Sequence, residues 1–415
     1  MAEPQQHEVS LTKWAYGGEA MGRLSDGRAV FVPRALPGER ALVRLTEEKP
    51  HYARGEVVSL LETSPDRVAP RCPFFGRCGG CHYQHVAYAA QLTAKEAIVR
   101  DQLQRIGGFA EPRVRPTVPS PRVWGYRNHI QLHVAADGAL GFQTPGGQAL
   151  VPVDDCLLAE PRLREVLPRL QFEAESGVER VHLRVGANGD VLLWLRGRAA
   201  EPPGFAVDFP LSAVYTAFEG RSFVLAGHPA LQMAVRGRAF RVSAASFFQV
   251  NVGVAEALID HLLTILPLEP HTRLLEVFSG VGLLTAFLAP RVGEVVAIES
   301  SPAACADFEA NLQAFDHISL YEASAAQALP YLAAQGYRPD VVVLDPPRSG
   351  LRREALDALL ALQPPLVAYV SCDPATLARD GKRLARRGYR LRHITPFDMF
   401  PQTYHIETVS LWQRA

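Results

Sequence analysis

The chain has 415 residues, a formal net charge of +0, 48% hydrophobic and 21% charged residues. This length suits two to three domains of about 150 residues each, and the neutral balance excludes a protein that grips nucleic acid by bulk charge. No apolar run approaches the roughly 20 residues that cross a bilayer, and the polar stretch Met1–His7 has no secretory h-region, so a cytoplasmic protein without a membrane partner is expected.

From Val9 to Leu61, short apolar alternations (29–32, 41–45, 55–60) are divided by the turn pairs Gly17-Gly18, Asp26-Gly27 and Pro37-Gly38. This is the pattern of a small OB-like β-barrel, assigned to residues 1–66. The next unit, 67–240, opens on Cys72, Cys78 and Cys81 in the run CPFFGRCGGC. Clustered cysteines in a cytosolic chain point to metal rather than disulfides. Three close thiolates with one remote partner is a common iron–sulfur ligand pattern, and Cys156 is the available fourth; structural zinc is the alternative. A helix-like stretch, 87–106, precedes strands at 129–134, 180–185 and 191–195, which predict a mostly antiparallel domain. The last unit, 241–415, alternates a helix at 254–266 with strands at 273–278, 295–299, 340–344, 366–371 and 406–412, the pattern of a doubly wound parallel sheet. The basic run Lys382, Arg383, Arg386, Arg387, Arg390 and Arg392 fits either a solvated helix face or a local basic patch.

Open α/β sheets bind ligands beyond the carboxyl ends of their strands. Four sequence features fall at such ends: the turn Phe278-Ser279-Gly280-Val281-Gly282, the acid Glu299, the tip Asp345-Pro346-Pro347-Arg348, and Cys372 in YVSCDP. Glycines in the turn let the backbone approach a ligand, and an acid ending the next strand suits ribose hydroxyls. The turn lacks the third glycine of a pyrophosphate site, which favours S-adenosylmethionine. Cys372 at a loop start is a nucleophile if its pKa falls from the ordinary value of about 8.5.

The whole set, with Ser246-Phe247-Phe248-Gln249-Val250-Asn251, LDPPRSG, YVSCDPATLARD and the stretch from Phe400-Pro401-Gln402 to His405-Ile406-Glu407-Thr408-Val409, resembles the RNA uracil-5-methyltransferases over nearly the entire chain. It is most like their bacterial 23S rRNA branch. The resemblance implies a TRAM domain at 1–66 (Phe31-Val32-Pro33 through Pro37-Gly38-Glu39), a [4Fe-4S] cluster on Cys72, Cys78, Cys81 and Cys156, and a Rossmann-like methyltransferase domain at 241–415. It also implies roles: Cys372 adds to carbon 6 of uracil, Glu407 removes the carbon-5 proton, and Gln249, Phe278, Gly280, Leu283, Glu299, Ser324 and Asp345 meet S-adenosylmethionine. Leu283 stands where relatives often carry a polar residue, and Ser279 where many carry cysteine. Family targets are 23S uridines 1939 and 747 and tRNA uridine 54; barrel and cluster together favour 23S rRNA. The expected partner is RNA, not DNA, bound by a monomer, with Phe74, Phe75, Tyr83, Trp124 and Tyr126 as possible stacking platforms. An RNA-binding assembly factor with secondary methyl transfer is the reading from another class, and a cytosine-5 methyltransferase ranks low because Cys305, in a predicted helix, is the only second cysteine of the sheet domain.

Overall fold

The computed structural model describes residues 6–415. Strands β1 (Gln6–Trp14), β2 (Glu19–Arg23), β3 (Ala29–Pro33), β4 (Arg40–Glu48) and β5 (Tyr52–Glu62) close into a barrel in the order β1-β2-β3-β5-β4. Alternate residues such as Val9, Leu11, Val30, Val32, Ala41 and Val43 fill it. The period-2 pattern read from sequence is the barrel's inside and outside.

The cysteine-bearing segment follows and runs into helix α1 (Tyr88–Gln102), extended as one π-helical turn over Leu103–Gly107. A seven-stranded sheet comes next, built from β6 (His129–Val134), β7 (Leu140–Gln143), β8 (Leu150–Pro152), β9 (Val178–Val185), β10 (Val191–Gly197), β11 (Ser212–Ala217) and β12 (Ser222–Ala226), with the short helix α2 (Pro161–Val166) after β8. Every pair is antiparallel except β10 with β11. The hairpin β13 (Ala230–Val235) and β14 (Arg238–Ser243) leads to the last domain.

There, α3 (Val252–Ile265) precedes β15 (Arg273–Val277), α4 (Thr285–Leu288), β16 (Glu294–Glu299), α5 (Pro302–Leu312), β17 (Ile318–Glu322), α6 (Ala325–Ala334), β18 (Val341–Leu344), α7 (Arg353–Ala361), β19 (Leu366–Ser371), α8 (Pro374–Arg386), β20 (Tyr389–Phe397) and β21 (Glu407–Arg414). The order β17-β16-β15-β18-β19-β21-β20 is parallel through β19 and then antiparallel at both β19–β21 and β20–β21, so the expected parallel sheet is mixed at one edge. Its inner strands are apolar on both sides because helices cover both faces. α3, α4 and α5 pack on one face; α6, α7 and α8 pack on the other. α1 packs on that second face through Ile98 and Val99, although it lies far upstream in the sequence. Among the described residues no helix is long and apolar enough to cross a membrane.

The basic run lies mostly on α8 and the start of β20. Its cations either face solvent or pair locally, Arg383 with Asp380 and Arg387 with Asp357, as a solvated helix face does.

One buried acid fixes the chain where it enters the last domain. Asp307 of α5 has 0% exposure. It accepts hydrogen bonds from Ser243 N at 2.7 Å, Ser243 Oγ at 2.8 Å and Ser246 Oγ at 2.6 Å, and pairs with Arg241. Arg184 of β9 holds the same stretch from outside, donating to the carbonyls of Ser243 (3.1 Å) and Ser246 (2.7 Å). Three residues later the chain reaches Gln249. Removing the acid strands several buried donors, at roughly 1–3 kcal/mol each. Asp307→Ala should therefore lower unfolding stability by about 3 kcal/mol or more, read as a shifted urea midpoint, and raise amide exchange across 243–249. Unchanged exchange there would show that Arg184 alone suffices.

Candidate active site

The parallel strands end level with one another. Val277 of β15 pairs with Ile298 of β16 and with Leu344 of β18, and Leu344 pairs with Tyr369 of β19. Phe278, Glu299, Asp345 and Cys372 therefore emerge on one edge of the sheet. β21 arrives from the opposite direction with Thr408 paired to Ser371. The ladder ends there; the next residue on each chain is Cys372 and Glu407, and the two lie close enough for the carboxyl to raise the thiol. The sequence places these two residues 35 positions apart; strand polarity makes them neighbours.

This corner is rich in acid: Glu407 is buried, Asp345 and Cys372 are half-buried, and Arg348 is exposed. Burial pushes the Cys372 thiol up to about 12, with Glu407 and Asp345 adding to the effect and Arg348 opposing it. The Glu407 carboxyl is raised well above its usual range by burial and then by Asp345, again against Arg348. Burial raises Asp345 to about 7. The thiol is thus not activated in the resting site, contrary to the lowered pKa expected of a nucleophilic cysteine. Two of these groups, Cys372 and Glu407, share one nearby cation that favours their negative forms. That cation, Arg348, lay inside the LDPPRSG motif but was assigned no role from sequence; an arginine directly after two prolines at a strand tip was the available signal. Its Nη2 sits 3.3 Å from Nδ1 of His405. Burial and then Arg348 lower His405 to about 3, so the ring is neutral and accepts from the guanidinium.

Next to this corner lies a pocket edge suited to a nucleoside. Phe278 is a non-glycine residue at φ +67°, held by its N–H to Ile298 O at 2.8 Å; backbone strain of this kind concentrates at functional sites. Gly280 has φ +55° and open space where a Cβ would stand, so its backbone faces the crevice bare. Gly282 serves packing instead, since a Cβ there would meet Leu312 Cδ1 at 2.6 Å. Glu299 is oriented by three N–H donors: Gly280 at 2.9 Å, Ser300 at 2.7 Å and Ser301 at 2.8 Å. Leu283 is buried in the core, so only its backbone is available to a ligand. Ser324 caps α6 in a reciprocal box with Gln327. Gln249 is anchored by its carbonyl, which accepts from Asn128 Nδ2 at 2.9 Å, leaving its side chain half-exposed beside Phe247, 68% exposed.

Cys72, Cys78, Cys81 and Cys156 line one cavity of about 180 Å³, together with the half-buried Arg127. Burial raises the Cys81 thiol to about 12, with Cys156 and Cys78 adding to it. Among the described residues no three His, Cys, Asp or Glu side chains are grouped tightly enough to hold a single metal ion. A broader groove of about 800 Å³ runs past this cavity, bounded by Tyr16 and Arg54 of the barrel side, Gln131 and His133 of β6, and Arg348 and His405 of the catalytic corner. The Tyr16 hydroxyl donates to Asp373 Oδ2 at 2.9 Å, a direct link from the barrel to the residue after Cys372. Two of the expected stacking platforms are not surfaces: Tyr83 and Tyr126 are wholly buried. Tyr126 spends its hydroxyl on Pro401 O at 3.0 Å. Phe74 packs against the central core, and Trp124 lies under Arg71.

A family described as tRNA (Uracil-5-)-methyltransferase matches residues 228–415, and the TRAM domain matches residues 5–58. An uncharacterized RNA methyltransferase of Thermosynechococcus vestitus is 36% identical, covering 97% of each chain. One from Streptomyces avermitilis is 33% identical over 99% of both. Among solved structures, the Pyrococcus abyssi tRNA (uracil-54, C5)-methyltransferase in complex with S-adenosyl-L-homocysteine superposes with a TM-score of 0.74 at 26% identity, covering 98% of this chain and all of the other. The chain belongs to the RNA (uracil-5-)-methyltransferase family and is an S-adenosylmethionine-dependent enzyme acting on RNA.

Glu276, inside β15 beneath the crevice, offers a test of how dry this region is. Burial raises it to about 8, although Thr285 Oγ1 donates to it at 2.6 Å. A carboxyl raised in the folded state stabilises fully below its unfolded pKa and loses that contribution as pH climbs through the folded value. Asp345 and Glu407 have the same sign. The melting temperature should fall as pH rises from about 5 to about 8.5, and Glu276→Gln should flatten that fall by raising the alkaline value alone. An equal drop at both pH values would mean the carboxyl is not desolvated.

Proposed function

We propose that this family member methylates carbon 5 of one uridine in 23S rRNA through a covalent Cys372 adduct, with Glu407 as the base. The observation that carries the reading is the register that brings Cys372 and Glu407 to one sheet edge, beside Arg348 and Asp345. When bound, S-adenosylmethionine supplies an electrophilic methyl group.

Gly280 and Phe278 present backbone to that cofactor, Glu299 accepts from its ribose, and Gln249, Leu283, Ser324 and Asp345 complete the cradle. Cys372 Sγ attacks carbon 6, forming a C–S bond while its proton passes to ionised Asp345. Arg348 lowers the cost of the negative charge in this corner. The electron pair pushed into the ring makes carbon 5 nucleophilic, and it takes the methyl group. Glu407, protonated at rest, first gives its proton to solvent; as a carboxylate it accepts the carbon-5 proton, the C–S bond breaks, and the thiolate recovers its proton from Asp345. The proton given to solvent is the one that the overall reaction produces. The uracil must first leave its stack, at a cost of a few kcal/mol; the groove between barrel, β6 and catalytic corner gives the flanking strand a place to lie.

The work divides among residues 1–66, 67–240 and 241–415. In the middle unit, four thiols spaced around a cavity, rather than closed on a point, suit a [4Fe-4S] cluster better than a zinc ion with ligands at about 2.3 Å. Half-buried Arg127 offsets part of its negative charge. The Pyrococcus neighbour, which covers this chain from barrel to carboxyl end, acts on tRNA, so the barrel does not by itself select rRNA. tRNA uridine 54 is accordingly the second reading.

Methyl-labelled cofactor incubated with a 23S fragment pool and a tRNA pool separates the two. Label as 5-methyluridine in 23S RNA supports the preferred reading, label only in tRNA replaces it, and label in neither points to an assembly factor. Cys372→Ala should abolish labelling while retaining RNA binding. Glu407→Gln should still methylate once and then stall, leaving a denaturant-stable RNA–protein adduct; a variant that turns over normally would remove Glu407 as the base. For the cluster, anaerobically purified protein should carry about four iron and four sulfide per chain, and Cys156→Ser should lose both. Zinc at one per chain would favour the alternative.

A further inference from the structure

The stretch 398–406, which joins β20 to β21 and delivers Glu407, makes most of its polar contacts with other parts of the chain. Each of four successive carbonyls is gripped from elsewhere. Met399 O accepts from Asn251 Nδ2 at 3.3 Å, Phe400 O from Lys95 Nζ at 3.1 Å, Pro401 O from the Tyr126 hydroxyl at 3.0 Å, and Gln402 O from both His82 N and Tyr83 N at 2.9 Å. Lys95 also pairs with Asp398, and both side chains are wholly buried. Gln402 stands at φ +68°, a left-handed conformation that an L side chain rarely adopts unaided.

Gln91 closes the grip. It lies one turn before Lys95 on the same face of α1 and is fully buried. Its Oε1 accepts from Gln402 N at 3.0 Å while its Nε2 donates to Gln402 Oε1 at 3.0 Å. The same Nε2 lies within bonding distance of the carbonyls of Tyr83 (3.2 Å) and Val86 (2.9 Å), which tie it to the end of the cysteine-bearing segment. Gln402 is thus bonded on its backbone N–H, its carbonyl and its side-chain oxygen, all from the region 82–91.

Glu407 needs such outside support. It is the first residue of β21, so the sheet ladder holds it from one side only. Its Oε1 has no hydrogen-bond partner among the described residues. Where the carboxylate points therefore depends on how the chain arrives from Gln402. We propose that Gln91 and Lys95 are positioning residues for the base: they clamp the 398–402 turn so that Glu407 enters the site aligned with carbon 5, and they make that alignment depend on the ordered cysteine segment. The proposal rests on Glu407 being the base.

The step to watch is proton removal from the methylated adduct, which a misaligned Glu407 would slow while addition and methyl transfer proceed. Gln91→Met keeps the bulk and removes the amide. Gln402→Gly keeps the carbonyl that His82 and Tyr83 address, accepts the left-handed backbone without strain, and loses only the side-chain amide. Both should lower kcat by about tenfold or more through misalignment, leave KM for RNA near the wild-type value, slow tritium release from 5-tritiated uridine, and accumulate methylated, denaturant-stable adduct as Glu407→Gln does. Should Gln91→Met fail to fold, Gln402→Gly decides. Wild-type turnover with no adduct in a folded variant would overturn the clamp, as would parallel loss of RNA binding and adduct formation. If Glu407→Gln itself traps no adduct, the base assignment falls and takes the clamp with it; if it traps adduct and the glutamine variants do not, the clamp alone is wrong.

Discussion

The site exists because one strand runs the wrong way. A purely parallel sheet presents only strand carboxyl ends to its ligand crevice, and β15, β16, β18 and β19 do that here. β21 is inserted antiparallel beside β19, so its first residue lies at the same edge where β19 delivers its last. That single reversal brings a carboxyl and a thiol to the same edge, each one residue from the last paired position of the ladder. Sites carried on regular elements hold their geometry more tightly than sites on loops.

The same packing makes the corner electrostatically frustrated. Cys372, Glu407 and Asp345 all have their acid forms favoured by burial; Asp345 further raises Glu407, and both carboxyls further raise Cys372. An inert resting thiol is useful in an enzyme whose nucleophile must not react until a base lies over it. Arg348 favours the ionised forms of both Cys372 and Glu407, and His405, kept neutral, takes its hydrogen bond without adding charge. In the proposed reaction the thiol and the carboxyl are thus balanced by one guanidinium.

Much of this was legible in the sequence, and the rest was hidden for physical reasons. Strands β15, β16, β18, β19 and β21 were readable because their apolar runs end at polar, glycine or proline breaks. β17 and β20 were not, since both are edge strands with half-exposed, mixed sequences such as Ile318–Glu322. The antiparallel turn of β21 leaves no mark in periodicity, which is the same in either direction. Cys372 stood out from its place at a strand end, and Glu407 came from the family resemblance; their juxtaposition needed the sheet topology. Tyr83 and Tyr126 look like platforms in sequence because aromatic rings serve cores and surfaces equally. Gln91 and Gln402 are 311 positions apart, and nothing in either neighbourhood announces a partner.

The three sequence units are consequently not modules strung on linkers. Tyr16 of the barrel bonds to Asp373, whose other oxygen caps α8 just after Cys372. His82 and Tyr83, next to Cys81, bond to the turn before Glu407. Cys372 and Glu407, the proposed nucleophile and base, are thus each supported by a different upstream unit, while the sheet holds them together from below. RNA lying in the groove between these units would press on both supports at once. An arrangement in which the recognition surfaces also complete the catalytic corner ties correct binding to chemistry, because a base seated without the barrel and the cysteine segment in place would meet a thiol and a carboxylate that are each short of a brace.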